Sequence, residues 1–215
     1  MEIELKYSIT DANTAYKVLE NDSILNMVLE DSREEITLDA RYYDTADFDL
    51  QKRKIALRIR NENGNFVETV KWSGTAKNGV HRRNEVNVIL EENRFPEVVS
   101  VEGFANCGIG NQLSEVALTK DLEEFMRVSV LRKVLRVNTG RSILEFAFDI
   151  GNVITSKGSS PISELEVELI EGHEEDLIKM GNMLQNKFCL KPEKKSKFVR
   201  GLILLGRINI QEEEE

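Results

Sequence analysis

The sequence predicts an α+β fold: a β-rich body of about eight strands, mainly antiparallel and numerous enough to close a barrel, covered by a few helices. Three observations predict it. Segments in which charged and apolar residues alternate with period two recur along the chain. Most neighbouring segments are joined by short turns, which suits antiparallel pairing. Between the others lie stretches with apolar residues at helical spacing.

The first alternating segment spans residues 2–9 and opens Glu-Ile-Glu-Leu-Lys. Asp11 can cap a helix running through Tyr16, Val18 and Leu19. Residues 35–43 (EITLDARYY) are the second strand. KIALRIRN (54–61) and NFVETVKWS (65–73) flank a turn-like Glu-Asn-Gly and read as a hairpin. HRRNEVNVIL (81–90) follows a glycine-containing loop. A helix is expected over 111–126, with Leu113, Val116, Ala117 and Leu122 on one stripe. VSVLRKVLRVN (128–138) and RSILEFAFDI (141–150) meet at Asn-Thr-Gly, and SELEVELIE (163–171) is the last strand. EEDLIKMGNMLQNKF (174–188) starts with acids at the positive end of a helix and sets Leu177, Met180 and Leu184 on one face. These Leu and Met positions read as core rather than as a binding surface. Without internal repeats or low-complexity linkers, the expectation is one domain over 1–210 and an acidic frayed tail at 211–215.

Composition narrows the function. The 215 residues are 40% hydrophobic and 31% charged, as in a soluble globular domain with its own core. The net charge of −9 argues against nucleic acid as a partner. It leaves room for an anionic small molecule bound by a local basic cluster. Cys107 and Cys189 have no paired spacing and read as free thiols in a reducing compartment. The N-terminus lacks the basic-then-apolar pattern of a signal peptide, and the run Leu202–Leu205 is too short to cross a membrane. A cytoplasmic protein with no membrane contact is therefore expected. No segment specifies an oligomer, although a homodimer is compatible with the sequence.

The charges on the strands carry the functional signal. Residues i and i+2 of a strand share a face. Glu2, Glu4 and Lys6 share one, as do Arg58 and Arg60, Thr69 and Lys71, and Arg83, Glu85 and Asn87. Glu145, Ala147 and Asp149 share another, and so do Glu164, Glu166 and Glu168. Any one such row is commonly a solvated face. Here, however, the signs are segregated, whereas a solvated sheet tends to mix them so that cross-strand pairs attract. A carboxylate row beside basic rows is what a cavity for a divalent cation and a polyanion needs, since Mg²⁺ takes oxygen ligands and Arg and Lys donate to phosphate oxygens. Alternation alone leaves the inward and outward readings both open.

The order of short motifs adds to this. Glu2-Ile-Glu4-Leu-Lys6 resembles the ExExK signature of the CYTH superfamily, the triphosphate tunnel metalloenzymes. Tyr42-Tyr43-Asp44-Thr45 with Asp47 and Leu50 resembles that family's YYDTxDxxL segment, and Leu57-Arg58-Ile59-Arg60 its LRxR strand. Thr69-Val70-Lys71, His81-Arg82-Arg83-Asn84-Glu85, Asp149-Ile150-Gly151, Glu164-Leu165-Glu166-Val167-Glu168 and Ser196-Lys197 with Arg200-Gly201 resemble its TxK, RxE, DxG turn, ExExE and SKxxRG elements in the same order. Finer similarity, in GVHRRNEVNV, LSEVALTK and EFAFDIGNVI, is to the bacterial inorganic triphosphatases of the superfamily. Many of those carry an appended His-rich helical domain, which a chain with two histidines is expected to lack. Two departures stand out: Ala46 where proline is usual, which should loosen a turn, and Asn87 where many members have a glutamate.

The resemblance implies a closed eight-stranded antiparallel barrel whose tunnel hydrolyses triphosphates with Mg²⁺ or Mn²⁺, and it points Glu2, Glu4 and Lys6 inward. It also implies roles. Lys6, Arg58, Arg60, Lys71, Arg83, Arg132, Lys197 and Arg200 would grip phosphate, with Arg136 held in reserve on the face of Arg132. Glu2, Glu4, Asp149, Glu164 and Glu166 would hold metal, with Glu168 ranked below them. Glu4, Lys6 and Glu166 are the residues on which catalysis is expected to rest. Glu85 and Glu145 would orient bases. Tyr42 is expected to reach the tunnel, Tyr43 and Trp72 to face away, and His81 to be a turn residue rather than a ligand. Inorganic triphosphate is the expected substrate. A class IV-type adenylyl cyclase, a thiamine triphosphatase and a non-enzymatic triphosphate or polyphosphate sensor are the alternatives.

Overall fold

The computed structural model describes residues 1–9, 11–77 and 79–209, so the expected tail at 211–215 lies outside the described residues. Its body is a closed antiparallel barrel of β1 (Glu2–Ser8), β2 (Glu34–Asp44), β3 (Ile55–Glu62), β4 (Asn65–Lys77), β5 (Val80–Ile89), β6 (Glu123–Asn138), β7 (Ile143–Thr155) and β8 (Gly158–Glu171). Around the barrel they run β1-β5-β4-β3-β2-β6-β7-β8 and return to β1. β1 closes the ring: Glu2 lies opposite Arg83 of β5, and Lys6 opposite Glu166 of β8. A two-residue strand, β9 (Lys191–Pro192), adds to β1. The β3–β4 hairpin turns through Asn63 and Gly64 at φ +50 and +97, the left-handed pair whose twist suits a tight hairpin.

Alternation then sorts the side chains. Leu5 and Tyr7 of β1 face outward and pack with Phe146, Leu165 and Val167 under α1 (Ala12–Leu19), α2 (Asp22–Leu25) and α5 (Glu174–Phe188). Asp11 does cap α1, accepting from the Thr14 amide. Leu177, Met180 and Leu184 of α5 are buried as their spacing predicts. A second outer cluster joins Leu57, Ile59 and Val70 to Phe104, Ile109 and Leu113, the last from α4 (Gly110–Ala117). Among the described residues, no helix is long and apolar enough to cross a membrane.

The structure corrects several local expectations. The helix expected over 111–126 stops at Ala117, and residues 123–126 open β6, because Glu123 and Met126 pair with Asp44 and Tyr42 of β2. Asp149-Ile150-Gly151 is not a turn but lies within β7, where Gly151 lets two backbones approach: a Cβ there would meet the Ser129 carbonyl oxygen at 2.0 Å. His81 is a buried strand residue of β5 rather than part of a turn. The segment after β2 is held without a proline at Ala46, because the Asp44 carboxylate accepts from the Thr45, Leu50 and Gln51 amides at the start of α3 (Asp49–Lys52).

One helix does not pack outside. α6 (Lys197–Leu205) is capped by Ser196, whose hydroxyl accepts from the Val199 amide. Its Phe198 and Leu204 pack on Tyr42, Met126, Val128 and Val130, which belong to the inner face of the barrel. A Cβ at Gly201 would fall 1.6 Å from the Met126 sulfur. The apolar end of the interior is thus filled by a plug, and the charged remainder stays open.

Candidate active site

The interior holds a cavity of about 380 Å³. Its walls include Glu2, Glu4 and Lys6 of β1, Arg58 and Arg60 of β3, Lys71 of β4, Arg83 and Glu85 of β5, Arg132 of β6, Asp149 of β7, Glu166 and Glu168 of β8, and Lys197 of α6. The inward reading of the β1 charges is the one the fold adopts. Tyr42 also lines the cavity, while Tyr43 packs in the outer cluster with Trp72 against it. Lys133 points away from the cavity to a surface pair with Glu35. Two expected site residues are not on the cavity wall. Glu164 is 1% exposed and pairs with Lys197 and Arg200, and Arg200 is held between Glu164 at 2.8 Å and Glu193 at 3.1 Å.

The charges divide into two neighbourhoods. In the first, Asp149, Glu164 and Glu166 each offer an oxygen within 4.8 Å of the others. Four cations surround them. Lys197 Nζ lies 2.7 Å from Asp149 and 2.9 Å from Glu166 and contacts Glu164. Arg132 forks onto Asp149 with two 2.7 Å bonds and reaches Glu166 at 2.9 Å. Lys6 is 2.9 Å from Glu166, and Arg200 completes the set. Burial alone would raise the Glu166 carboxyl, but Lys197, Lys6 and Arg132 outweigh it and hold the group well below its usual range. Burial works against the charged form of Lys197 too, and Asp149, Glu166 and Glu164 overcome it, so its ammonium is held well above the ordinary lysine value.

The second neighbourhood is short of positive charge. Lys71 bonds both oxygens of Glu2 at 2.7 and 2.8 Å and lies 2.6 Å from Glu85. Lys6 is a looser 3.4 Å from Glu4. Glu168 makes no ion pair among the described residues. Burial, then Glu2, and further Glu4 and Glu85 push the Glu168 carboxyl up to about 8 against the pull of Lys71. Burial with Glu4 and Glu85 likewise holds Glu2 above its usual value despite Lys71. Glu168, which sequence reasoning ranked low for its depth, thus stands beside the opening glutamates: register sets it directly opposite Glu4. The row Glu164-Glu166-Glu168 was the available signal.

Asn87 occupies the place of an expected acid and is itself bonded. Its amide oxygen accepts from Thr69 at 2.6 Å, and its nitrogen donates to Glu85 at 2.7 Å, steadying the partner of Lys71. At the far rim Arg136 pairs with Glu145 at 2.9 Å, half-exposed. Arg58 and Arg60 differ from all of these. Each has a buried Nε–H without a hydrogen-bond acceptor. Glu62 approaches the Arg60 Nε to 2.7 Å, yet off the N–H direction, so that contact is Coulombic only. Burial and the neighbouring Arg58, with a smaller push from Arg132, lower Arg60 to about 10. Arg83 lies across Gly74 and makes no ion pair among the described residues.

This donor set suits a hard divalent cation: every candidate ligand is a carboxyl oxygen, and Glu2, Glu4 and Glu168 crowd together with too few cations, so Glu2 and Glu168 hold protons more tightly than free carboxyls do. Buried like charges without partners are costly, and a dication relieves that cost.

Comparison with known proteins agrees with the tunnel. The family profile of the CYTH domain matches residues 1–202. An inorganic triphosphatase of Haemophilus influenzae is 31% identical over 163 residues, covering 76% of this chain and 44% of that protein. The chain therefore spans less than half the length of that curated relative. Among solved structures, the proposed adenylyl cyclase HpAC1 of Hippeastrum, described as having a dominant triphosphatase activity, superposes with a TM-score of 0.64 at 19% identity over 99% of this chain and 100% of that one. A protein of Pyrococcus horikoshii OT3 gives 0.59 at 20% identity over 97% and 100%. At these identities the structural likeness is one of fold.

Proposed function

The chain belongs to the CYTH family, and from that membership we propose that it is a divalent-metal-dependent triphosphatase that cleaves inorganic triphosphate to pyrophosphate and phosphate. The observation that carries the reading is the pair of buried guanidinium N–H groups, on Arg58 and Arg60, that meet no acceptor inside a charged tunnel. A buried donor without a partner costs about 1–3 kcal/mol, more when charged. The oxygens of a linear polyanion supply the missing acceptors.

Mg²⁺ or Mn²⁺ matches the all-oxygen donors, and Glu2, Glu4 and Glu168 would hold it: among the described residues they meet only Lys71 and a loosely placed Lys6, whereas Asp149, Glu164 and Glu166 each contact two or more cations. When bound, the ion supplies Lewis-acid polarisation of phosphoryl oxygens and a more acidic water. The chain's own residues do the rest. Lys6, Arg58, Arg60, Lys71, Arg83 and Arg132 bind the non-bridging oxygens and fix the terminal phosphorus for in-line attack by water. The bond from water oxygen to phosphorus forms as the phosphoanhydride bond breaks. Pyrophosphate leaves, and its new charge is met by the same bases. Lys197 and Arg200 tie α6 to the carboxylates of β7 and β8.

The walls favour an inorganic substrate over a nucleotide or thiamine ester. The aromatic residues among the cavity walls are Tyr42 and Phe198, and their rings, 5.8 Å apart, pack on each other within the plug. Neither is free to stack on an organic ring. The free thiols Cys107 and Cys189 support a reducing, cytoplasmic setting.

The test is phosphate release from tripolyphosphate and from ATP, with and without Mg²⁺. Fast Mg²⁺-dependent release from tripolyphosphate with little from ATP is expected. Cyclic AMP formed from ATP would replace this reading with a cyclase, and tight triphosphate binding without turnover would replace it with a sensor.

A further inference from the structure

Lysine is almost never buried without a partner, yet Lys197 is 8% exposed at the inner end of the plug. Its ammonium hydrogen-bonds Glu164 and Glu166 and lies 2.7 Å from Asp149. An ammonium has three donors, and three carboxylates surround this one. Those carboxylates are also the group whose oxygens converge within 4.8 Å, close enough to hold one cation between them. We infer that Lys197 is the resident cation of the Asp149–Glu164–Glu166 triad, a tethered ammonium in the place that a divalent ion would otherwise take.

Charge accounting supports the assignment. Three carboxylates meet Lys197, Arg132, Lys6 and Arg200; with Lys6 shared by Glu4 and Arg200 by Glu193, the triad is compensated without a further ion. A dication added there would have to displace the Lys197 ammonium from all three carboxylates and leave that ammonium buried without a partner, which is strongly unfavourable. The Glu2–Glu4–Glu168 side has the opposite balance. The placement is also local to the plug. Lys197 is the first residue of α6, directly after the Ser196 cap, so its backbone is fixed before its side chain reaches inward. With its donors committed to carboxylates, Lys197 is a positioning residue that keeps the triad closed and the plug seated. It does not grip phosphate, as its place in the sequence had implied.

This inference rests on the tunnel being a metal-dependent site, and one titration separates the two ideas. Bound Mn²⁺ is counted per chain from the paramagnetic resonance of the free ion, for wild type and Lys197→Met. The wild-type count tests the metal site: one ion is expected, and none would remove Glu2 and Glu4 as ligands. The difference between the proteins tests Lys197: one additional ion in Lys197→Met is expected, and an unchanged count overturns the inference. Should Lys197→Met fail to fold, Asp149→Asn decides, because a triad that holds an ammonium loses no Mn²⁺ when one acid is neutralised. Loss of an ion from Asp149→Asn would overturn the inference.

Discussion

Glu68 shows what a carboxylate does when burial is its whole environment. It lies on the outer face of β4 between Ile59 and Val88, 3% exposed, with one oxygen lacking a partner. Burial alone raises its carboxyl to about 7. The folded state therefore holds a proton that the unfolded state has released, and stability falls as pH rises from about 4.5 to about 7. Glu68→Gln should leave the melting temperature at pH 5 nearly unchanged and raise it at pH 8, by about 1–3 kcal/mol of stability. Equal shifts at both pH values would mean that the ionised form is not the cause. Glu4, equally buried at 6%, has a different task. As a proposed ligand it should be intolerant of Glu4→Gln: Mg²⁺-dependent phosphate release should drop by about 100-fold or more, with an unaltered circular dichroism spectrum. Near-normal turnover would take Glu4 out of the metal site.

Elements were legible where local chemistry and tertiary pairing agree. The barrel strands have a charged inner and an apolar outer face, so the charged rows of β1, β3, β4, β5 and β8 stood out before any pairing was known. Agreement failed at 111–126, where acids and spaced leucines read as helix while pairing with β2 draws Glu123 into β6. It failed again for α6, whose Leu-Ile-Leu-Leu run reads only as too short to cross a membrane, whereas in the fold Leu202 is buried and Phe198 and Leu204 pack on the inner barrel face. Gly151 reads as a turn because Asp149-Ile150-Gly151 resembles the family's DxG turn, whereas here the glycine marks contact between strands. That contact makes a prediction. A Cβ at Gly151 meets backbone, the Ser129 oxygen at 2.0 Å and the Val130 Cα at 2.7 Å, which no rotamer change relieves. Gly151→Ala should cost about 1–3 kcal/mol, read as a lower urea midpoint at constant slope. An unchanged midpoint would show that β6 and β7 can separate locally at no cost.

Across the whole molecule, the rows of charge were visible in the sequence but their partners were not. Lys71 finds Glu2 from 69 positions away and Arg132 finds Glu166 from 34, so each pair depends on the register of strands distant in sequence. The closed ring brings them together and leaves the Nε–H groups of Arg58 and Arg60 without hydrogen-bond acceptors. A free tunnel of this kind is under electrostatic strain that its ligand should relieve, so the fold and the polyanion should be thermodynamically linked. At about 100 times its dissociation constant, a ligand specific for the folded state adds about 2.7 kcal/mol. For a chain of this size that corresponds to about 5–10 °C in melting temperature. Tripolyphosphate without metal should produce such a rise, and Arg58→Met with Arg60→Met should abolish most of it. Sulfate at equal ionic strength should do much less, because a single tetrahedral anion cannot reach both arginines and the Lys71 end of the tunnel together. If sulfate matched tripolyphosphate, the stabilisation would be general screening of buried charge, and the tunnel would have no preference for a chain of phosphates.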